Sequence, residues 1–445
     1  MNLPFPMKRP EGQRVSPVQT SKRTGTGGMP CPTTNRKVGR RCCAAGALRC
    51  RRRSSAALPI QRFAALALLL LSTTAPRLVA QPEFDIVRIR EGIPLIPISL
   101  SGFSGEVRDV LKFDLEVQGF TNVAPEVAQY NITGSNNGQV EGRVTDRISK
   151  ANVLAVRYTD ASLRTQAHAF ADDIVLKITG KPGIARTKIA FKSIRSNNSE
   201  LYVADYDGAN AAPVTADQAI VAAPTWVPGR RMLYYTSYKS GYPDIYSHDL
   251  GSRERKVIAQ HPGLNTSPAL SPDGKRIAMI LSFRGSPDLY VADAATGGNL
   301  KQLTKTREDE SSPCWSPDGR TICFVSSREG TPGLYLISAD GGEMRRLRTA
   351  GASRPTEPEW SPNGKWIVFT SMWRNFAICL VPAEGGDVVT LADGEDPSWA
   401  PNSRTVIFTR RARGRSTLSL LDVLTKGVKD VPQNSGSSSQ PSWAK

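Results

Sequence analysis

Histidine is nearly absent from this chain of 445 residues: His168, His248 and His261 are all it has. Three scattered histidines make a poor set of general bases. The Gly-x-Ser-x-Gly elbow of the serine hydrolases occurs nowhere. Cysteine is sparse where it would matter. Cys31, Cys42, Cys43 and Cys50 sit near the start, leaving Cys314, Cys323 and Cys379 for the rest. That excludes a disulfide framework, and no Cys-x-x-Cys or Cys/His cluster offers a metal site. Cys314 abuts Trp315 and Cys323 abuts Phe324, so buried thiols are expected. Acids are missing from the first 80 residues, which hold 15 Lys and Arg against Glu11 alone. The remaining residues carry 43 basic against 39 acidic groups, so most of the net charge of +18 is local. Bulk charge therefore does not mark a nucleic-acid binder.

That basic start reads as an address. Arg51, Arg52, Arg53 and Arg62 precede the apolar run Phe63-Ala-Ala-Leu-Ala-Leu-Leu-Leu-Leu, and small residues follow. The run is far short of the roughly 20 residues that span a bilayer, and the pattern is that of a secretory signal peptide. Cleavage is expected after Ala80, with export by the general secretion route. Residues 1–52 form a disordered basic extension, best explained by a true start codon further downstream, and residues 53–80 the signal itself.

One short phrase then recurs. It runs Pro224-Thr-Trp-Val-Pro-Gly, Pro268-Ala-Leu-Ser-Pro-Asp-Gly, Pro313-Cys-Trp-Ser-Pro-Asp-Gly, Pro358-Glu-Trp-Ser-Pro-Asn-Gly and Pro397-Ser-Trp-Ala-Pro-Asn-Ser, with the fragment Pro441-Ser-Trp-Ala at the end. Successive first prolines are 44, 45, 45, 39 and 44 residues apart, the period of a four-stranded propeller blade. Runs such as Arg276-Ile-Ala-Met-Ile-Leu and Asp288-Leu-Tyr-Val-Ala-Asp follow at fixed offsets and argue strands. The recurring Trp226, Trp315, Trp360, Trp399 and Trp443 are expected to pack between sheets. Residues from Lys188 begin in the middle of a blade, and Pro441–Ala444 supply only an innermost strand. Joining them predicts a six-bladed β-propeller over 187–445, closed by pairing of its N- and C-terminal strands. Each innermost strand is expected to start at its repeat proline.

Residues 81–186 have a different character. Val107, Val110, Leu111, Leu115 and Val117 predict an amphipathic helix ending at Gly119. Val153–Tyr158 reads as a strand, and Ser162 as the cap of a second helix ending at Gly180, with Leu163, Ala167, Phe170, Ala171, Ile174 and Ile178 on one face. The fold class is thus two domains, a small N-terminal α/β domain followed by the propeller. From about residue 84 to 445 the chain resembles the TolB family, periplasmic components of the Tol–Pal envelope system. The most specific stretch is Ala167-His168, Ala171-Asp-Asp-Ile174, Lys177-Ile-Thr-Gly180, Gly183-Ile-Ala-Arg-Thr-Lys-Ile-Ala-Phe and Glu200-Leu-Tyr-Val-Ala-Asp-Tyr-Asp-Gly. Residues 124–139 match the family least, and the N-terminal domain reads as shorter than usual.

No enzyme is read from these residues. Ser316-Pro-Asp-Gly-Arg-Thr is one residue short of a sialidase-type Asp box, and Asp205-Tyr-Asp-Gly lacks the further ligands of a calcium loop. A propeller hydrolase or a carbohydrate-binding propeller is the alternative. Topology puts the loops entering each blade and the hairpins between second and third strands on one face. Those hairpins carry Arg195, Lys239, Arg284, Arg328, Arg374 and Arg411/Arg413, with Tyr238, Phe283 and Trp373 alongside. This predicts a basic, partly aromatic rim for an acidic partner. Within it lie Ala223, Ser267, Ser312, Glu357, Asp396 and Gln440, each just before a repeat proline, flanked by Leu264, Asn265, Thr266 and Ser311. Glu357 and Asp396 offer two carboxylates to a channel cation, against the six to eight oxygens calcium takes; no other cofactor is expected. The resemblance implies a monomer, peripheral to the membrane through its partners: the lipoprotein Pal at the channel mouth, other outer-membrane lipoproteins, and TolA at the mature N-terminus, with Phe84, Asp85, Ile86, Val87 and Arg88 as contacts. That segment reads equally well as a binding strand or as a docked strand of the α/β domain.

Overall fold

The computed structural model describes Ile89 and residues 92–159, 162–195, 198–373, 375–412, 414–432 and 436–445. The leader, its cleavage point and residues 84–88 lie outside them, as do Arg374, Arg413 and the side chain of Arg195. Among the described residues no helix is long and apolar enough to cross a membrane.

The α/β domain is a five-stranded sheet with two helices. Its strand order is Phe120–Asn122, Ile96–Ser101, Tyr130–Ser135, Val140–Asp146, Asn152–Tyr158. Ile96–Ser101 pairs in parallel with both neighbours, and the last three strands form an antiparallel meander. The stretch least like the family therefore contains the central strand, Tyr130–Ser135. Helix α1 (Gly105–Val117) buries Val107, Val110, Leu111, Leu115 and Val117, the face its periodicity predicts. Helix α2 (Leu163–Thr179) starts at Ser162, whose side chain accepts the Thr165 N–H, and ends at Gly180 with φ 70°.

Six four-stranded sheets complete the chain. Five follow in order, covering residues 221–259, 265–302, 310–346, 355–393 and 395–430, here blades 1 to 5. The sixth has strand order Ser437–Trp443, Lys188–Arg195, Asn198–Asp205, Ala212–Pro213, so the end of the chain pairs with the strand that begins the propeller. The expected closure is observed, and it leaves the ring with no open seam. Separate apolar clusters fill the spaces between successive blades. Val227, Ile277 and Tyr290 pack between blades 1 and 2, for example, and Trp366, Trp399 and Phe408 between blades 4 and 5. Cys314, Cys323 and Cys379 are free and buried in the cluster between blades 3 and 4, as expected of inert thiols.

The repeat phrase now has a physical reading. Ser271 Oγ donates to Asp273 Oδ1 (2.6 Å) and accepts from the Arg276 N–H (2.9 Å), while Asp273 accepts from the Lys275 N–H. Ser316/Asp318 and Ser361/Asn363 repeat the arrangement. Gly274, Gly319 and Gly364 close these turns at φ 66°, 69° and 77°, where a side chain would be strained. Three of the tryptophans link blades, whereas Trp360 Nε1 donates to Gly364 O of its own turn. Trp226 Nε1 donates to Ser442 O, Trp315 Nε1 to Ala269 O and Trp399 Nε1 to Glu359 O, each on the innermost strand of the preceding blade.

One expectation needs correcting. The innermost strands do not start at the repeat proline but two to four residues earlier, as in Asn265–Leu270 and Glu310–Trp315. A β-bulge falls just before that proline in all six and interrupts the alternation by which a strand start is recognised.

Candidate partner-binding face and channel

At each bulge one non-glycine residue takes a left-handed conformation: Ala223, Ser267, Ser312, Glu357, Asp396 and Gln440, with φ between 47° and 54°. Such a residue costs about 1–3 kcal/mol unless its surroundings hold it, and here the strand ladder on both sides does so. All six line a channel cavity of about 550 Å³ along the propeller axis.

Around half of the channel the side chains at these bulges form a relay. Gln440 Oε1 accepts the Ala223 N–H (3.1 Å), Asp396 Oδ2 the Gln440 N–H (3.1 Å) and Glu357 Oε2 the Asp396 N–H (3.0 Å). Thr370 and Thr409 donate their hydroxyls to Glu357 and Asp396. Ser267 and Ser312 are too short to reach the next blade in this way. Burial, reinforced by the charge of Asp396, pushes the Glu357 pKa up to about 8. Two carboxyls this close disfavour one another's charge, which is why Asp396 adds to the rise that burial causes. Burial likewise pulls the neighbouring Lys192 down, against the pull of Asp396.

The flanking candidates divide. Ser311 and Thr266 are half-buried on the same strands. Leu264 is half-buried and its N–H donates to Ser282 Oγ. Asn265 is fully buried, and its amide bonds the backbone of His261 and Pro243, so it holds the loop rather than facing out. On the rim, Lys239, Arg284 and Arg328 are exposed. Arg284 lies over the Phe283 ring at 5.2 Å, and that ring stacks on His261 at 4.6 Å. Trp373 is 78% exposed, an exposure that only Ile148 equals among the described bulky apolar side chains. Arg411 is paired with the buried Glu395.

Two features of this region escape a reading by sequence alone. Glu310 opens an innermost strand at 1% exposure, with one oxygen accepting from Thr306 Oγ1 (2.9 Å) and the other unpartnered among the described residues. Its only signal is an acid at the head of an otherwise apolar or small inner strand. The second is the path of the chain after the candidate TolA segment. Ile89 is buried between blades 4 and 5, and the Ile93 N–H donates to Leu424 O (3.1 Å). This stretch packs on the propeller, an arrangement neither sequence reading contained.

A family model described as TolB beta propeller domain matches residues 175–445. The chain belongs to the TolB β-propeller family. Among curated relatives, the Tol-Pal system protein TolB of Francisella tularensis is 30% identical over 190 residues, covering 40% of this chain and 43% of its own. That of Polaromonas naphthalenivorans is 31% identical over 209 residues, covering 40% and 49%. The chain thus spans under half the length of these TolB relatives in sequence. The crystal structure of TolB from Acinetobacter baumannii matches more fully, with a TM-score of 0.73 at 25% identity over 79% of this chain and 97% of that one. The TolB architecture of an α/β domain followed by a six-bladed propeller is therefore present here.

Proposed function

We propose that this TolB-family protein is a non-catalytic interaction scaffold, exported to the periplasm. It binds Pal, and through the same face other outer-membrane lipoproteins, while residues 84–88 bind TolA. In this role it supports outer-membrane integrity and envelope constriction at division. The observation that carries the reading is the exposed set Lys239, Arg284, Arg328 and Trp373 on the face where the innermost strands begin. The channel cavity runs from the left-handed residues toward the Pro-Asp-Gly turns of the opposite face. Cations beside exposed aromatic surface suit an acidic partner, whose encounter they would steer. Supporting the absence of catalysis, His168, His248 and His261 each pack against an aromatic ring, on separate parts of the fold.

Calorimetry with Pal from the same cell tests this. Exchanging both Arg284 and Arg328 for Glu should weaken binding by roughly tenfold or more and flatten its dependence on salt. Unchanged affinity and salt slope would remove the rim from the interface. Deleting residues 81–88 should abolish capture of TolA while leaving the melting temperature unchanged; a fall of several degrees would make the segment part of the packed structure instead.

A further inference from the structure

Where the α/β domain meets the closing blade, a charged cluster is buried that the proposed function does not use. Asp114 on α1 is fully buried, His168 on α2 is 4% exposed, and Asp207, just beyond the strand Asn198–Asp205, is 6% exposed. His168 Nδ1 lies 2.7 Å from Asp114 Oδ2, and the Tyr206 hydroxyl donates to Asp114 Oδ1 at 2.5 Å. On the other side of the ring, Nε2 faces Asp207 Oδ2 at 3.8 Å and has no hydrogen-bond partner among the described residues. Arg164, also on α2, pairs with Asp207 and reaches Glu106 of α1 at 2.9 Å. Asp205 completes the surroundings, paired with Lys188 and accepting from Asn210. The groups facing His168 are thus Asp114 and, through Arg164, Glu106 from one helix, Arg164 from its own, and Asp205, Tyr206 and Asp207 from the propeller.

A neutral imidazole donates through one nitrogen only. With Nδ1–H on Asp114, an unprotonated Nε2 would aim its lone pair at a carboxylate. A doubly protonated ring donates toward both. We propose that His168 is an imidazolium bridging Asp114 of the α/β domain to Asp207 of the propeller, a proton-operated latch whose release loosens the seating of one domain on the other. The same three side chains are of the types that ligate metals, but Asp207 Oδ2, the oxygen nearest Nε2, is already taken by the Arg164 guanidinium, which leaves a metal short of ligands.

The electrostatics agree. Burial opposes charge on His168, yet the hydrogen bond and negative charge of Asp114, together with Asp207, outweigh it and raise the pKa above its ordinary 6.5. Burial also raises Asp114 above the usual carboxylate range. Both groups hold protons more tightly in the folded protein. The latch therefore forms as Asp114 gives up its proton, holds while His168 keeps its own, and is lost as pH rises through the raised folded histidine value. The Tyr206 ring stacks on Trp443 of the terminal strand with centroids 6.0 Å apart, and Trp443 Nε1 donates to Thr187 Oγ1 (2.8 Å). Opening the latch would thus be felt at the closure of the ring.

The test is pH-resolved NMR of ring-labelled histidine in the full mature chain, with hydrogen exchange corrected for its intrinsic pH dependence. His168 should show both nitrogens protonated beyond neutral pH. Protection of residues 105–117 and 205–209 should fall together across that titration, by about tenfold for each unit by which the pKa is raised. Asp207→Asn should move the midpoint downward, and His168→Gln should lower protection and make it independent of pH. If His168→Gln fails to fold, the Asp207→Asn midpoint decides. A neutral His168 at about pH 6, pH-independent protection in the unsubstituted protein, or a shift of the His168 signals on adding zinc alone would each overturn the latch.

Discussion

Glu310 is an acid placed where burial works against its charge, and desolvation pushes its pKa up to about 7. A carboxyl whose pKa is raised on folding binds its proton more tightly when folded, so it lowers stability as pH climbs from the ordinary carboxylate value through 7. Glu310→Gln should remove that slope, leaving melting near pH 5 unchanged and raising it above pH 7 by roughly 2–4 °C. Gly183 shows the opposite constraint. A Cβ there would come within 2.2 Å of Asp172 Oδ1 and 2.7 Å of its Cα, while Asp172 accepts from the Ala185 N–H and Arg186 Nε. Gly183→Ala should therefore cost about 1–3 kcal/mol in denaturant unfolding. At this scale the sequence was only partly legible. Ala223, Ser267, Ser312, Glu357, Asp396 and Gln440 could be singled out by their place before proline, but they share no chemistry that announces a positive φ. Asp114 gave no signal, and Asp207 only that of an incomplete calcium loop, because their partner His168 lies on an element far from both in sequence.

The elements were far more readable. Helix faces, turn residues and strand runs each carry a period or a side-chain bond local to the sequence, and α1, α2 and the Ser-Pro-Asp-Gly turns formed where those local terms point. The starts of the innermost strands were not legible, since a bulge breaks the alternation and its cause lies in the neighbouring strand. The tryptophan links give an element-scale prediction. Trp315→Phe keeps most of the apolar area but leaves Ala269 O without its donor, a loss of about 0.5–1.5 kcal/mol. Removing residues 437–445 takes away a whole innermost strand and Trp443 with it. Its unfolding should become non-cooperative or fall by far more than the Trp315 variant, as followed by tryptophan fluorescence.

For the molecule as a whole, six similar sheets bring the exposed Lys239, Arg284, Arg328 and Trp373 to one face. The fold was legible because repetition multiplies weak local signals six times over. The candidate contacts were less so: exposure separates Trp373 and Arg284 from the buried Asn265, and exposure depends on packing that no single segment records. If the rim steers an acidic partner, raising the salt from about 50 to 500 mM should slow association much more than dissociation in stopped-flow mixing.

The bond between Trp443 and Thr187 joins residues 256 positions apart. A chain delivered across the inner membrane from its amino end would have its first propeller strand paired on one edge only, with Asn198–Asp205, until almost the last residue arrived. Long-range pairing of this kind makes for slow folding and invites strand exchange with other chains in the interval. With the export proposed above, production of the protein should be limited by events after translocation, and should respond to periplasmic chaperone supply more than to the rate of synthesis.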